Sequence, residues 1–214
     1  MIDSSEFDSQ LTDQTRSALD CVAEVGVRTW PSSGNYTVKD DGLVHLFYVL
    51  DGIICCQRET HLARVLPREV LRTGRDNDRV LENPSRSDTT TAVHIALIPN
   101  DSSRLSTRHH YFSDDQKDNQ LCRIAACDQD GRVLSTRAPV DVYLTTLGRY
   151  DTLILDRQPN QPLLVLCPRG EVTVNTQSLG AGDVAVNVES TTATVVGLKP
   201  STVLTLRGQP EPPH

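Results

Sequence analysis

The sequence lacks a long apolar run, an excess of basic residues and any Cys-x-x-Cys pair. No run approaches the roughly 20 apolar residues that a membrane-spanning helix needs. The formal net charge is −7, so the chain does not offer the clustered Lys and Arg that give nonspecific affinity for nucleic acid. We therefore expect neither a membrane nor a nucleic acid as a direct partner.

Cysteine is present without a metal-binding pattern. None of the six cysteines has the spacing of a zinc cage. The acidic and polar start of the chain, MIDSSEFDSQ, is not typical of a secretion signal. We expect a cytoplasmic protein whose thiols are reduced.

The chain has the pattern of a β protein. Its 214 residues suit one large domain or two small ones. Short runs rich in Val, Ile, Leu, Tyr and Thr recur between turn residues, which predicts mostly strands. The clearest of these runs are 43–50, 91–98, 140–147, 162–167, 171–176 and 183–188. Segment 8–25 could begin as a short helix, but its Val-rich end favours a strand.

A unit made of a glycine, a strand and a second turn occurs twice. Gly52 opens the first copy and Gly170 the second, and each copy continues to a turn with an acidic residue and a valine, at 66–70 and 179–184. Two copies predict two similar antiparallel barrels of the jelly-roll type, a fold that limits exposed sheet edges. The polar, turn-rich segment between them is predicted to be a linker.

Four segments, taken in order, resemble the pirin-like bicupins, a family that includes quercetin dioxygenases. The segments are YVLDG (48–52), ENPSRSDTTTAVHIALIPN (82–100), HHYFSDDQKDNQL (109–121) and RGEVTVNTQSLGAGDVAV (169–186). The resemblance implies an all-β bicupin with two tandem antiparallel jelly-roll type barrels. The expected division is an N-terminal segment at 1–29, a first barrel at 30–100, a linker at 101–121, a second barrel at 122–208 and a tail at 209–214.

The resemblance also locates the family's metal ligands, which are three histidines and one carboxylate. Matching on the turn glycine and on Asn83 places these ligands on Val38, Asp40, Arg79 and Leu81. Valine and leucine have no donor atom, arginine is a permanent cation, and one carboxylate cannot replace such a shell. The family uses iron or another divalent transition metal. For this chain we expect no metal cofactor, and hence no dioxygenation, which needs the metal.

Two histidines lie within apolar predicted strands. The simpler interpretation of His45 and His94 is that they lie in or beside the barrel lumen without binding a metal. If both rings point inward, a non-standard site on these two residues is conceivable. The alternative function is therefore a metal-dependent oxidoreductase of the quercetin 2,3-dioxygenase type.

The favoured hypothesis is a non-catalytic, monomeric regulatory protein that binds a small molecule or a protein. The predicted ligand site is the mouth of the first barrel, with Asp40, His45, Arg79 and His94. Asp40 and Arg79 take two family positions that bind one metal. They are therefore predicted to lie close together and to form an ion pair.

Cys55 and Cys56 are the candidates for redox chemistry. Adjacent strand residues face opposite sides, so one thiol should point into the barrel and the other outward. A reactive thiol needs exposure and a cationic neighbour, and Arg58 shares a face with Cys56. Packing as small apolar side chains is the simpler interpretation.

Overall fold

The computed structural model describes residues 19–57, 62–74, 78–102, 104–127, 133–158, 161–187 and 191–209. Within these ranges the regular structure consists of strands and one 3-10 turn at Asp114–Gln116. No helix in the described part of the chain is long and apolar enough to cross a membrane. The predicted all-β class is confirmed.

The first half of the chain forms two sheets. Its strands are β1 Val22–Trp30, β2 Asn35–Val38, β3 Val44–Asp51, β4 Ile54–Gln57, β5 Leu62–Val65, β6 Glu69–Thr73, β7 Arg79–Glu82, β8 Thr90–Leu97 and β9 Arg108–Tyr111. One sheet has the order β1-β8-β3-β6-β9 and the other β2-β7-β4-β5. All pairs in both sheets are antiparallel.

The second half repeats this arrangement. In each half the inner sheet is the one that packs against the other half, and it is larger in the second half. Its strands are β10 Cys122–Ala126, β11 Leu134–Ser135, β12 Val140–Leu147, β13 Thr152–Asp156, β14 Leu163–Arg169, β15 Val172–Val174, β16 Gln177–Leu179, β17 Val184–Asn187, β18 Thr192–Gly197 and β19 Ser201–Gly208. The sheet orders are β11-β10-β12-β19-β14-β17 and β13-β18-β15-β16. Only β10 with β11 is parallel among these strand pairs.

Three apolar layers hold the four sheets in a stack. Strand alternation explains how one strand serves two layers, because successive side chains point to opposite faces. On β3, Phe47 and Val49 pack between the two sheets of the first half. Leu46 and Tyr48 on the same strand pack against the inner sheet of the second half. Each half is thus a pair of facing sheets of the jelly-roll kind, open at the edges and not a closed barrel.

The predicted repeat is visible at two equivalent turns. Gly52 and Gly170 both have positive φ, at 78° and 93°. The amide that follows each glycine is bonded to a hydroxyl at the start of a strand, Ile53 N to Thr90 Oγ1 and Glu171 N to Ser201 Oγ. The two copies therefore use the same turn, closed by the same contact.

Two strands lie outside the residues expected for the first barrel. β1 falls mostly in the expected N-terminal segment 1–29, and it pairs with β8. β9 falls in the expected linker 101–121, and it pairs with β6. Both segments extend the inner sheet of the first half. The short helix considered at the start of segment 8–25 lies outside the described residues.

Candidate functional site

Two buried histidines from neighbouring strands meet between the sheets of the first half. Phe47 on β3 is the register partner of His94 on β8, and His45 lies on the same face of β3. The Nδ1 atom of His45 is 3.0 Å from Nε2 of His94. The two rings are nearly parallel, with centroids 5.3 Å apart.

Charged side chains contact the histidine pair at both of its ends. Arg28 Nε donates to His94 Nδ1 at 2.9 Å, and Arg28 also pairs with Glu24 on the same strand. At the other end, His45 Nε2 lies 3.2 Å from Asp41 Oδ1. Glu24, Arg28, Asp41, His45 and His94 are called the histidine network below.

Arg28 fixes the direction of the hydrogen bonds in the network. A guanidinium only donates, so Nδ1 of His94 accepts and the ring proton resides on Nε2. His94 then donates to Nδ1 of His45, and Nε2 of His45 donates to Asp41. Both rings are thus neutral with every nitrogen partnered, which avoids the ~1–3 kcal/mol penalty for an unpaired buried polar group.

The electrostatics support this assignment. Burial lowers the pKa of His94, and the nearby Glu24 carboxylate only partly opposes this effect. Burial alone would raise the pKa of Glu24, but a protonated His94, through its hydrogen bond and its charge, and the Arg28 guanidinium together lower that pKa from 4.5 to about 2. A proton added to His94 Nδ1 would point at Glu24 Oε1, 3.2 Å away, and would displace the bond from Arg28.

Aromatic rings enclose His94. Phe47 stacks on it with centroids 4.5 Å apart and planes 6° from parallel. Tyr36 meets it edge-on at 6.0 Å, and the Arg28 guanidinium lies 4.8 Å from the centre of the Tyr36 ring. These contacts hold the imidazole in one plane, as its hydrogen bonds require.

We expect the protein to lose stability as the pH falls below His94's ordinary pKa of 6.5. The folded-state pKa is lower, so between the two values the unfolded chain binds more protons and stability rises with pH. Glu24 adds a further loss only as the pH falls from 4.5 toward about 2. Urea unfolding at steps between about pH 5 and pH 7.5 measures the slope.

Two variants separate the contribution of His94 from that of other histidines. His94→Gln should flatten the dependence on pH, whereas His109→Gln, at an exposed position on β9, should leave the wild-type slope. Equal slopes in wild type and His94→Gln would show that this imidazole does not titrate with unfolding.

Comparison with solved structures gives the fold. No protein-family model and no curated protein matches the sequence. The bacterial pirin YhhW of Escherichia coli, solved with nickel(II), superposes with a TM-score of 0.74 at 16% identity, over 89% of this chain and 83% of that one. This chain has the pirin-like bicupin fold.

Two other solved structures agree. YhaK of Escherichia coli has a TM-score of 0.74 at 14% identity, over 87% of this chain and 84% of that one. Quercetin 2,3-dioxygenase of Acinetobacter baumannii has a TM-score of 0.66 at 14% identity, over 94% of this chain and 78% of that one. At these identities the likeness establishes the pirin-like fold alone.

The positions expected for the metal ligands do not fit a metal in this bicupin. Val38 and Leu81 are buried, with 3% and 0% exposure, in the apolar layer between the two sheets of the first half. In the described part of the chain, no three His, Cys, Asp or Glu side chains form a group that could hold a metal ion. Nδ1 of His45 and Nε2 of His94 face each other. The lone pair of His45 Nδ1 therefore accepts a hydrogen bond and is not available to a metal.

The predicted ion pair between Asp40 and Arg79 is wrong. β2 ends at Val38, the register partner of Arg79, so the chain has left the sheet before it reaches Asp40. Asp40 is exposed, and its backbone N donates to Asp78 Oδ1 at 2.9 Å. Asp78 also accepts from Lys39 Nζ at 2.8 Å. The structure therefore brings together His45 and His94 of the predicted site, without Asp40 and Arg79.

Sequence reasoning missed the charged members of the histidine network. Glu24 and Arg28 lie in the segment that least resembles the bicupin family, and Asp41 lies in a loop. The available signal was spacing, because residues an even number apart share a face of a strand. Glu24, Arg28 and the buried Trp30 satisfy that rule on β1.

The two candidate redox cysteines are packed. Cys56 is 0% exposed in the apolar layer, and Cys55 is 2% exposed on the opposite face of β4. Burial raises the pKa of the Cys55 thiol despite the nearby Arg64. A reactive thiol needs the reverse shift, so this geometry favours packing over redox chemistry. Arg58, the cation considered for Cys56, lies outside the described residues.

Proposed function

We propose that this protein is a metal-independent bicupin that binds a small polar molecule at the histidine network without catalysing its oxidation. The observation that carries the proposal is the histidine network, in which every ring nitrogen has a hydrogen-bond partner within the protein. The positions expected for ligands hold Val38 and Leu81, which pack in the core. The polar chemistry of this half lies instead on the face of β1, β8 and β3.

At its outer ends the network presents both negatively and positively charged side chains to a ligand. The side chains of Glu24, Arg28 and Asp41 are 42%, 30% and 41% exposed, while both imidazoles are buried. A ligand with hydroxyl or amine donors would bond to the carboxylates, and an acceptor group would meet Arg28. Ligand sites commonly combine such a few polar groups with aromatic walls, which Tyr36 and Phe47 provide here.

The buried imidazoles would report binding. A ligand that donates to Asp41 competes with the His45 N–H for that carboxylate, and one that accepts from Arg28 removes the donor that His94 Nδ1 uses. Because the two rings are bonded to each other, a change at either end is transmitted to both. That coupling suits a regulatory protein that signals occupancy without transforming its ligand.

We expect the purified protein to hold far less than one transition-metal ion per chain after growth in metal-supplemented medium. We also expect no consumption of oxygen when quercetin is added, because oxygen activation needs a metal. Elemental analysis and an oxygen electrode measure these quantities. A ratio near one that His45→Ala abolishes, together with oxidation of quercetin, would establish the dioxygenase alternative instead.

The binding itself is tested by nitrogen NMR of the histidine rings during a screen of small phenols and hydroxy acids. A ligand should shift the ring signals of His45 and His94 together. Asp41→Asn should weaken the effect, and Asp78→Asn, which alters a carboxylate outside the network, should not. If no compound moves the two rings, or if both variants respond as the wild type does, the network is not the ligand site.

A further inference from the structure

A second candidate site lies between the two halves, away from the histidine network. It is a cleft of about 400 Å³ with four arginines in its lining, Arg72, Arg104, Arg108 and Arg137. Such a concentration of positive charge is unexpected in a chain with a net charge of −7.

Strand pairing places two of these arginines side by side. Arg72 on β6 and Arg108 on β9 are direct register partners, so their side chains share a face of the sheet. Val70, on the same face of β6, packs in the layer between the halves, which shows that this face is turned toward the second half. Like charges directly opposite each other on a sheet are destabilising.

The four arginines of this cluster differ in their partners. Arg72 donates from Nη1 to the Ser135 carbonyl at 2.6 Å and from Nη2 to the Ser106 carbonyl at 2.5 Å. Arg137 pairs with Asp101 at 2.9 Å. Arg104 and Arg108 are exposed and form no ion pair with any acidic residue that the structure describes.

The walls of the cleft are built rigidly. Arg72 is only 3% exposed, and its two bonds tie β6 both to the segment before β9 and to β11 of the second half. The same segment passes so close to Gly74 that a Cβ there would lie 1.3 Å from the Leu105 carbonyl oxygen. A ligand would therefore meet a preorganised site, which lowers the entropic cost of binding.

We propose that this cleft binds a small organic anion with two or more carboxylate or phosphate groups. Each guanidinium can donate two parallel N–H bonds to two oxygens of a carboxylate or a phosphate. Leu105, Val133 and Leu134 line the same cleft and would contact a short carbon skeleton. The volume lies in the range of small-molecule sites. Because its lining comes from both halves, the bound anion would bridge them.

Isothermal titration calorimetry with citrate and with pyrophosphate tests the site, at one fixed ionic strength because salt screens exposed charges. The wild type should bind one anion per chain, and the tighter of the two probes identifies the preferred group. The double variant Arg104→Gln/Arg108→Gln should weaken binding by about tenfold or more. Arg108→Lys should weaken it less, because it keeps the charge but loses the planar fork.

Two controls make the result specific to the cleft. Arg149→Gln removes an exposed arginine that stacks on Tyr150 and does not line the cleft, and it should bind as the wild type does. His94→Gln should also leave the affinity unchanged, since this inference does not depend on the histidine network. No heat from either probe with the wild type, an unchanged double variant, or an equal loss in Arg149→Gln would each overturn the proposal.

Discussion

Phe47→Ala should lower the free energy of unfolding by about 3–5 kcal/mol, as deletion of a buried aromatic ring usually does. Phe47 is 0% exposed and packs between the sheets of the first half. Its ring lies 6.2 Å from Trp30 and from Tyr36, and it stacks on His94 at 4.5 Å. Urea unfolding at neutral pH measures the loss.

The same substitution should loosen the histidine network. Without the ring beneath it, the His94 imidazole is free to tilt away from Arg28 and His45, so its ring NMR signals should broaden or shift. Phe47→Leu, which keeps apolar volume, should lose much less stability. Tyr150→Ala removes a ring that is 68% exposed and serves as the surface control. A loss near that of Tyr150→Ala would mean that the ring is not a core residue.

Local patterns, together with the four segments that resemble the bicupins, were sufficient to predict the all-β class and the two similar halves, although each half is a pair of open sheets and not a closed barrel. The predicted strands 43–50 and 140–147 coincide with β3 and β12 to within one residue, because strand composition and flanking turns are properties of short segments. The equivalence of the turns at Gly52 and Gly170 could also be predicted, since a tight turn demands glycine in each copy. A strand at the start of β1 was expected from the Val-rich end of segment 8–25, but its pairing with β8 and the edge strand β9 were not, because the pairing partners lie far away in sequence.

The candidate site was less predictable, because it depends on register. Arg28 and His94 meet because β1 pairs with β8 so that Gly26 faces His94 and Arg28 faces Ala92. No local pattern specifies that alignment. The expected pair of Asp40 with Arg79 failed for a similar reason, since the residue at which β2 leaves the sheet decides where Asp40 points. The arginine cleft combines residues from three separate segments, which only the folded chain brings together.

Gly52→Ala should lower the free energy of unfolding by roughly 2–4 kcal/mol, the sum of left-handed backbone strain and a steric clash. Gly52 has a φ of +78°, and a Cβ there would lie 2.4 Å from Thr90 Oγ1 and 2.8 Å from Thr90 Cα. The backbone atom cannot rotate away, and the hydroxyl is already bonded to both the amide and the carbonyl of Ile53. The alanine must therefore push β8 away from the turn.

Gly182→Ala is the matched control for that clash. Its φ of +94° imposes a comparable backbone strain, but a Cβ there would meet nothing within 4 Å. We expect this variant to lose only about 1 kcal/mol. Gly170→Ala, whose Cβ would lie 2.3 Å from Ser201 Oγ, should behave like Gly52→Ala, because the two turns are equivalent. If all three substitutions had the same effect in urea unfolding, backbone strain alone would explain it, and the close approach of each turn to the following sheet would have no energetic role.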